Sequence, residues 1–156
     1  MTKQEGIAFK IKLKEYCIKV LEDRLRTVEL LIVRAQQSAN EEGKSSAGDK
    51  YETSRAMGHL EKEMYQQQAA NIRAELLLAG SVEADRHFTT VVKGSLVVVG
   101  EDLFIYVCVG IGKKKIDALN ILFVSQDAPI FKLLQNKKPL DSFMLNRQSL
   151  FISEIW

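Results

Sequence analysis

The chain has 156 residues, 46% of them apolar, with 22 Lys and Arg against 20 Asp and Glu and a net charge of +2. That length fits one ordinary domain, or an extended helical element with one small domain, and the apolar share excludes wholesale disorder. The near-balanced charge argues against a dedicated nucleic-acid binder, which carries a strong basic excess, while leaving local patches open.

The opening stretch MTKQEGIAFK has neither a long apolar run nor a cleavage signature, so it does not read as a signal peptide. From Ile11 to Ala39 the pattern is that of an amphipathic helix. Apolar residues recur at Ile11, Ile18, Leu21, Leu25, Val28, Ile32, Ala35 and Ala39, in steps of three and four after one longer gap. Lys14 fills that gap, a flaw that a long lysine stem tolerates.

Residues 38–53, SANEEGKSSAGDKYET, are the most polar and turn-prone segment. A second helix is predicted from Asp49 to Leu78. Met57, Leu60 and Met64 mark its buried stripe, and Ile72 and Leu76 continue it past Gln67 and Asn71, which blur it. Ser46 to Asp49 and Asp49 to Glu52 both have capping-box spacing, and Gly80 stands where a helix C-cap places glycine. Two long helices with a short polar turn between them predict an antiparallel coiled-coil hairpin, each helix roughly 45 Å long at 1.5 Å per residue.

After Gly80 a connector, GSVEADRHFTTVVKGS, leads into β-type sequence. Strands are predicted at Leu96–Val99, Leu103–Val109 and Asn120–Val124, with turn signals at Gly100–Asp102 and Gly110–Lys115. Pro129 opens a short helix to about Leu134, and Ser142–Leu145 with Leu150–Ile155 close as a hairpin. The expectation is an α+β chain: a helical hairpin over residues 1–80, then a small, mostly antiparallel β domain with one short helix over residues 81–156.

Chemistry-bearing residues are sparse. Cys17 and Cys108 lack Cys-x-x-Cys spacing and fall in a helix and a strand, which favours two reduced, buried thiols over a disulfide scaffold or zinc site. His59 and His87 have no ligand-spaced partner. Gly43-Lys44-Ser45 resembles the end of a phosphate loop, but Ser38 stands where the first glycine is needed and helix leads in where a strand should. Gly110 to Lys115 reads as a turn with solvated lysines. No nucleophile with its base and no complete metal set emerges, so an independent enzyme with its own cofactor is not expected. The longest apolar run, Leu103 to Ile111, is too short for a membrane helix. A cytoplasmic protein is predicted.

Glu41, Glu42 and Asp49 carry two readings. Loops are polar, and Asp49 can cap the second helix. Alternatively, carboxylates at the end of a long arm can be delivered to a magnesium site on another molecule, since magnesium accepts one or two carboxylates plus water and phosphate oxygens.

The second half resembles the Gre family of bacterial transcript-cleavage and elongation factors. Val92, Gly94, Ser95 and Val97 fit the family's V-x-x-G-S-x-V strand entry, shifted by a residue. Phe123 to Asp141, through Ser125, Pro129, Leu134, Lys137 and Lys138, follows its serine-proline loop, helix and L-x-G-K-K-x-G-D turn without a gap. The stretch SLFISEIW is similar to its terminal strand. The resemblance implies a coiled-coil hairpin and an FKBP-like domain. It also implies a partner, RNA polymerase, with the tip in the secondary channel and the globular domain docked through Asp127, Ala128 and Pro129.

At the tip the family pattern is D-L-S-E-N-A-E-Y. Placing Tyr51 on its tyrosine puts Ser46 on the serine, Lys44 on the aspartate and Ala47 on the catalytic glutamate, the two acids that help hold the second magnesium. Here a cation and a methyl replace them. Asn136 and Leu140 replace two glycines of the last turn, which implies altered loop geometry. The expectation is a monomeric polymerase binder that modulates elongation, pausing or backtracking, its tip residues Glu41 to Tyr51 near the active centre, with Lys44 carrying a charge that attracts RNA phosphate. Two alternatives stand beside it. One is a cleavage stimulator in which Glu41, Glu42 or Asp49 supplies magnesium ligands. The other is a coiled-coil homodimer or adaptor unrelated to polymerase.

Overall fold

The computed structural model describes the backbone of residues 1–42 and 48–156, and the side chains of residues 1–41 and 52–156. Two long helices, α1 (Lys3–Glu42) and α2 (Gly48–Gly80), are followed by β1 (Leu96–Val99), β2 (Leu103–Val107), β3 (Gly112–Ile116) and β4 (Leu119–Val124). A short helix α3 (Pro129–Leu134) and the strands β5 (Ser142–Leu145) and β6 (Gln148–Ile155) complete the order. The fold is therefore α+β. Contacts divide the chain into two compact units, residues 1–18 with 78–156, and residues 19–77. Among the described residues no helix is long and apolar enough to cross a membrane.

In the first unit the strands form one mixed sheet in the order β3-β4-β2-β1-β6-β5. β2 and β4 pair in parallel, whereas the other neighbours pair antiparallel. Strand β1, Leu-Val-Val-Val, is buried at every position, as a strand covered on both faces must be. One face packs Val97, Val99, Ile105 and Val107 against Phe131 and Leu134 of α3. The opposite face carries Tyr106 and Phe123, and Tyr16 of α1 stacks on Phe123 at 5.8 Å.

Helix α1 starts eight residues before its expected position because Thr2 and Glu5 close a reciprocal capping box. Thr2 N–H donates to Glu5 Oε2 at 2.7 Å and Glu5 N–H to Thr2 Oγ1 at 3.2 Å. Hydrogen bonding from Thr2 to the Glu5 carboxyl, from its backbone N–H first and then its side chain, holds that carboxyl below its ordinary pKa. The first turns also bury a different stripe. Lys10, Leu13 and Cys17 are buried while Ile11 is exposed, before Leu21, Val28 and Ala35 continue as expected. Lys14 lies beside the seam, not in it. Its ammonium donates to the carbonyls of Gly80 at 2.9 Å and Val82 at 2.8 Å, capping the end of α2.

Gly110 to Lys115 is not a turn. Lys113, Lys114 and Lys115 lie in β3, and the turn falls at Asp117 and Ala118, with φ of 49° and 67°. β3 is an edge strand, where lysines discourage pairing with another chain.

In the second unit, cross-helix contacts set Ala39 near Gly58, Gln36 against Lys62 and Glu29 against Arg73, so the helices run in opposite directions. The expected α2 stripe of Met57, Leu60 and Met64 is a misreading: these side chains are 66%, 66% and 50% exposed. Small residues make the contact instead. Ala69 is buried, and a β-carbon on Gly58 would stand 3.7 Å from that of Ala39. Ile72 and Leu76 are half-buried, as their positions in the pattern predict.

Candidate functional site

The best-described part of the candidate site lies in the first unit, on the chain between β4 and β6. Ala128 N–H donates to Ser125 O at 3.2 Å, closing a turn that leaves Gln126 and Asp127 exposed. Ala128 is then the N-cap of α3, without a side-chain cap, and Pro129 occupies the first helical turn, where its missing N–H costs nothing. Asp127, Ala128 and Pro129 thus share one compact, surface-lying corner.

After α3 the chain makes two successive turns. In the first, Lys137 N–H donates to Leu134 O at 3.0 Å, Gln135 has φ −51° and ψ 130°, and Asn136 has φ 63°. In the second, Asp141 N–H donates to Lys138 O at 3.1 Å across Pro139 and Leu140, and Leu140 has φ 74°. Both have the form of type II turns, whose third residue needs a left-handed backbone and so favours glycine. The backbone is held from outside. Asn136 N–H donates to Val91 O at 3.0 Å, Val91 N–H to Lys137 O at 2.9 Å and Leu140 N–H to Ile152 O at 2.8 Å. Asp141 Oδ2 accepts from Lys138 N–H at 2.7 Å. Asn136 and Leu140 both adopt the conformation a glycine would take, and Leu140 does so while 84% exposed.

A second glycine position is equally constrained. Gly94 has φ 91°, and a β-carbon there would stand 3.1 Å from Glu83 O and 3.2 Å from Val82 Cγ1. Buried Ser95 is satisfied by donating from Oγ to Val92 O at 2.7 Å and accepting from Val92 N–H at 3.2 Å. Close approach and a buried, bonded hydroxyl account for Gly-Ser at this strand entry.

Of the tip residues, Glu41 is exposed near the end of α1. The backbones of Glu42, Asp49 and Tyr51 belong to α1 and α2, and their side chains lie outside the described residues. Lys44, Ser46 and Ala47 lie outside them altogether, as do Gly43 and Ser45. Among the described residues no three His, Cys, Asp or Glu side chains gather as a metal site.

Two features escaped the sequence pattern. The second unit exposes Met57, Leu60 and Met64 along one line of α2, and Leu30 and Val33 on α1. In the first unit Cys17 and Cys108 are both buried, near enough for each thiol to influence the other's protonation. Their separation along the chain gives no spacing signal. Compared with known protein families, characterised proteins and solved structures, the chain matches none.

Proposed function

We propose that this chain is a Gre-like transcription elongation factor that binds RNA polymerase. In this reading α1 and α2 form a coiled-coil hairpin whose tip, Glu41 to Tyr51, enters the secondary channel. The sheet and α3 form an FKBP-like domain that docks through Asp127, Ala128 and Pro129. The observation that carries the reading is the left-handed backbone of Asn136 and Leu140. Nothing in the chemistry of leucine favours φ near 74°, so a turn inherited from a glycine-bearing pattern accounts for it. The Gly94-Ser95 entry, the corner ending at Pro129 and the Asp141 cap support the same alignment.

The tip chemistry then decides the mode of action. Lys44 repels a magnesium ion and Ala47 offers no ligand atom, so the factor occupies the channel and modulates pausing, backtracking or nucleotide entry without supplying the second metal's ligands. Lys44 is suited to RNA phosphate by charge. The chain has no active site of its own in this account and acts as a monomer in the cytoplasm. The test is to mix full-length protein with core polymerase and with halted elongation complexes. Comigration with the core and altered elongation are expected, with weaker binding for Asp127→Ala. Absence of both effects at excess protein would overturn the proposal.

A second reading has its own support. The exposed line of Met57, Leu60 and Met64 is the kind of apolar surface that a partner helix covers. Self-association through it predicts a dimeric mass in sedimentation that Leu60→Glu returns to monomer.

A further inference from the structure

β3 closes one side of the six-stranded sheet, and its only strand neighbour is β4. Its remaining backbone N–H and C=O groups face away from β4, and among the described residues no other segment's backbone bonds to them. Lys113 and Lys115 are exposed and Lys114 is half-buried. Successive side chains of a strand point to opposite faces, so Lys113 and Lys115 share one face, about 6.7 Å apart, and Lys114 stands on the other. Their cross-strand neighbours on β4 are Leu122, Ile121 and Asn120, none of them an anion. None of the three lysines forms an ion pair among the described residues. The nearest carboxylate along the chain, that of Asp117, is already engaged by Lys12 of α1. Three unneutralised cations thus line a strand edge whose backbone is open.

We infer that this edge is a docking site for an extended acidic segment of a partner protein, which adds to the sheet beside β3. Strand addition draws affinity from main-chain hydrogen bonds and specificity from alternate side chains. The charges decide what pairs there. A second copy of β3, set antiparallel about Lys114, brings Lys114 of one copy opposite Lys114 of the other, and Lys113 opposite Lys115. Like charges directly opposite one another are destabilising, so the copy is excluded. The same lysines keep the edge from apolar strands. An acidic strand reverses the sign at every position.

Three successive carboxylates put two on the face of Lys113 and Lys115 and one on the face of Lys114, so all three pairs form at once. Nucleic acid fits the edge less well. Its phosphates can follow Lys113 and Lys115 but leave Lys114 on the far face. They are also acceptors only, whereas the outward carbonyls of β3 need donors, which a peptide backbone carries. The site depends on β3 alone and is independent of polymerase binding: a chain that never touches polymerase still presents this edge.

To test this, full-length protein is titrated with a labelled peptide, Thr-Val-Glu-Glu-Glu-Val-Thr, whose β-branched flanks favour a strand. Fluorescence anisotropy and amide hydrogen exchange are read together. Saturable binding is expected, weakening as salt rises, with slower exchange at the amides of Gly112–Ile116. Two further peptides are N-methylated on the two alternate sets of amides. Only one set faces the edge, so one of these peptides should bind at least about tenfold more weakly and the other should not. Combining Lys113→Glu, Lys114→Glu and Lys115→Glu should weaken the acidic peptide by at least about tenfold and create binding to its lysine counterpart. No saturation at millimolar peptide, or equal binding by both N-methylated peptides and their parent, would overturn the inference. So would a polyuridine oligonucleotide that binds more tightly than the peptide and protects the same amides, which would mark a phosphate site instead. These wild-type measurements decide the matter even if the triple variant does not fold.

Discussion

The indole of Trp156 lies against Gly6 of α1, so closely that a β-carbon on Gly6 would stand 2.5 Å from Cε3 and 2.6 Å from Cδ2. The backbone of Trp156 is fixed at the same time. Its N–H donates to Leu96 O at 2.9 Å and its carbonyl accepts from Leu96 N–H at 3.1 Å. His87 meets the ring edge-on at 6.0 Å. Held on these sides, the ring has little room to yield. A glycine inside a helix ordinarily costs about 1 kcal/mol against alanine; here it is what lets helix and sheet approach.

Gly6→Ala should therefore destabilise the chain, against the propensity trend. Overpacking costs of ~1–3 kcal/mol exceed the propensity gain, so a net loss of about 1 kcal/mol is expected in urea denaturation followed by circular dichroism. In a Trp156→Ala background the sign should reverse, because the clash is gone. A loss of the same size in both backgrounds would show that the indole is not its cause.

Leu140 predicts the opposite response. A left-handed leucine costs roughly 1–2 kcal/mol, and the side chain, being 84% exposed, recovers little by burial. Leu140→Gly should raise the unfolding free energy by about 1 kcal/mol once glycine's greater unfolded-state entropy is subtracted. Asn136→Gly should gain less, since asparagine tolerates this region. Equilibrium urea curves of the two variants check both values; a destabilised Leu140→Gly would mean that the side chain makes contacts worth more than the strain.

Where the sequence was legible, apolar runs or turn chemistry left little choice. The runs Leu96–Val99, Leu103–Val107 and Leu119–Val124 are rich in β-branched and aromatic residues and became strands within a residue or two of their expected ends. Pro129 marked the start of α3. The helix faces were harder. Lys10 is buried in the α1 stripe because its ammonium reaches Arg86 O and lies 4.5 Å above the Phe88 ring, a long-range pairing that periodicity cannot foresee. On α2 the large side chains suggested the seam, but glycine and alanine form it because they let two backbones come close. The lysines of β3 looked like turn residues because charge is rare in covered strands and common on edges. The thiol pair depends on tertiary proximity alone.

Tyr106 offers a test of its unpaired hydroxyl. A buried polar group without a partner costs about 1–3 kcal/mol, while the ring's packing on Phe123 would survive loss of one oxygen. Tyr106→Phe should be more stable than wild type by about 1 kcal/mol in urea. A loss of stability would mean that the phenol has a bound partner, with the two sulfurs the first candidates.

Lys10 predicts a pH dependence. Burial depresses its pKa from 10.5 to about 8, and Asp85 opposes that shift only in part. The folded chain therefore releases this proton near pH 8, whereas the unfolded chain keeps it until near pH 10.5. Between those values the unfolded state binds more protons, so raising the pH favours folding at this site. Below about pH 7 both states are protonated and the contribution is flat. Lys10→Met removes the titration while keeping an unbranched apolar stem. The wild-type stability minus that of Lys10→Met should thus be constant below pH 7 and climb from pH 8 toward pH 10.5, measured by urea unfolding at fixed ionic strength. Comparison between the two chains cancels the other groups that titrate in alkali. A difference that stays level across that range, or falls, would mean that Lys10 keeps its ordinary pKa and is hydrated in solution.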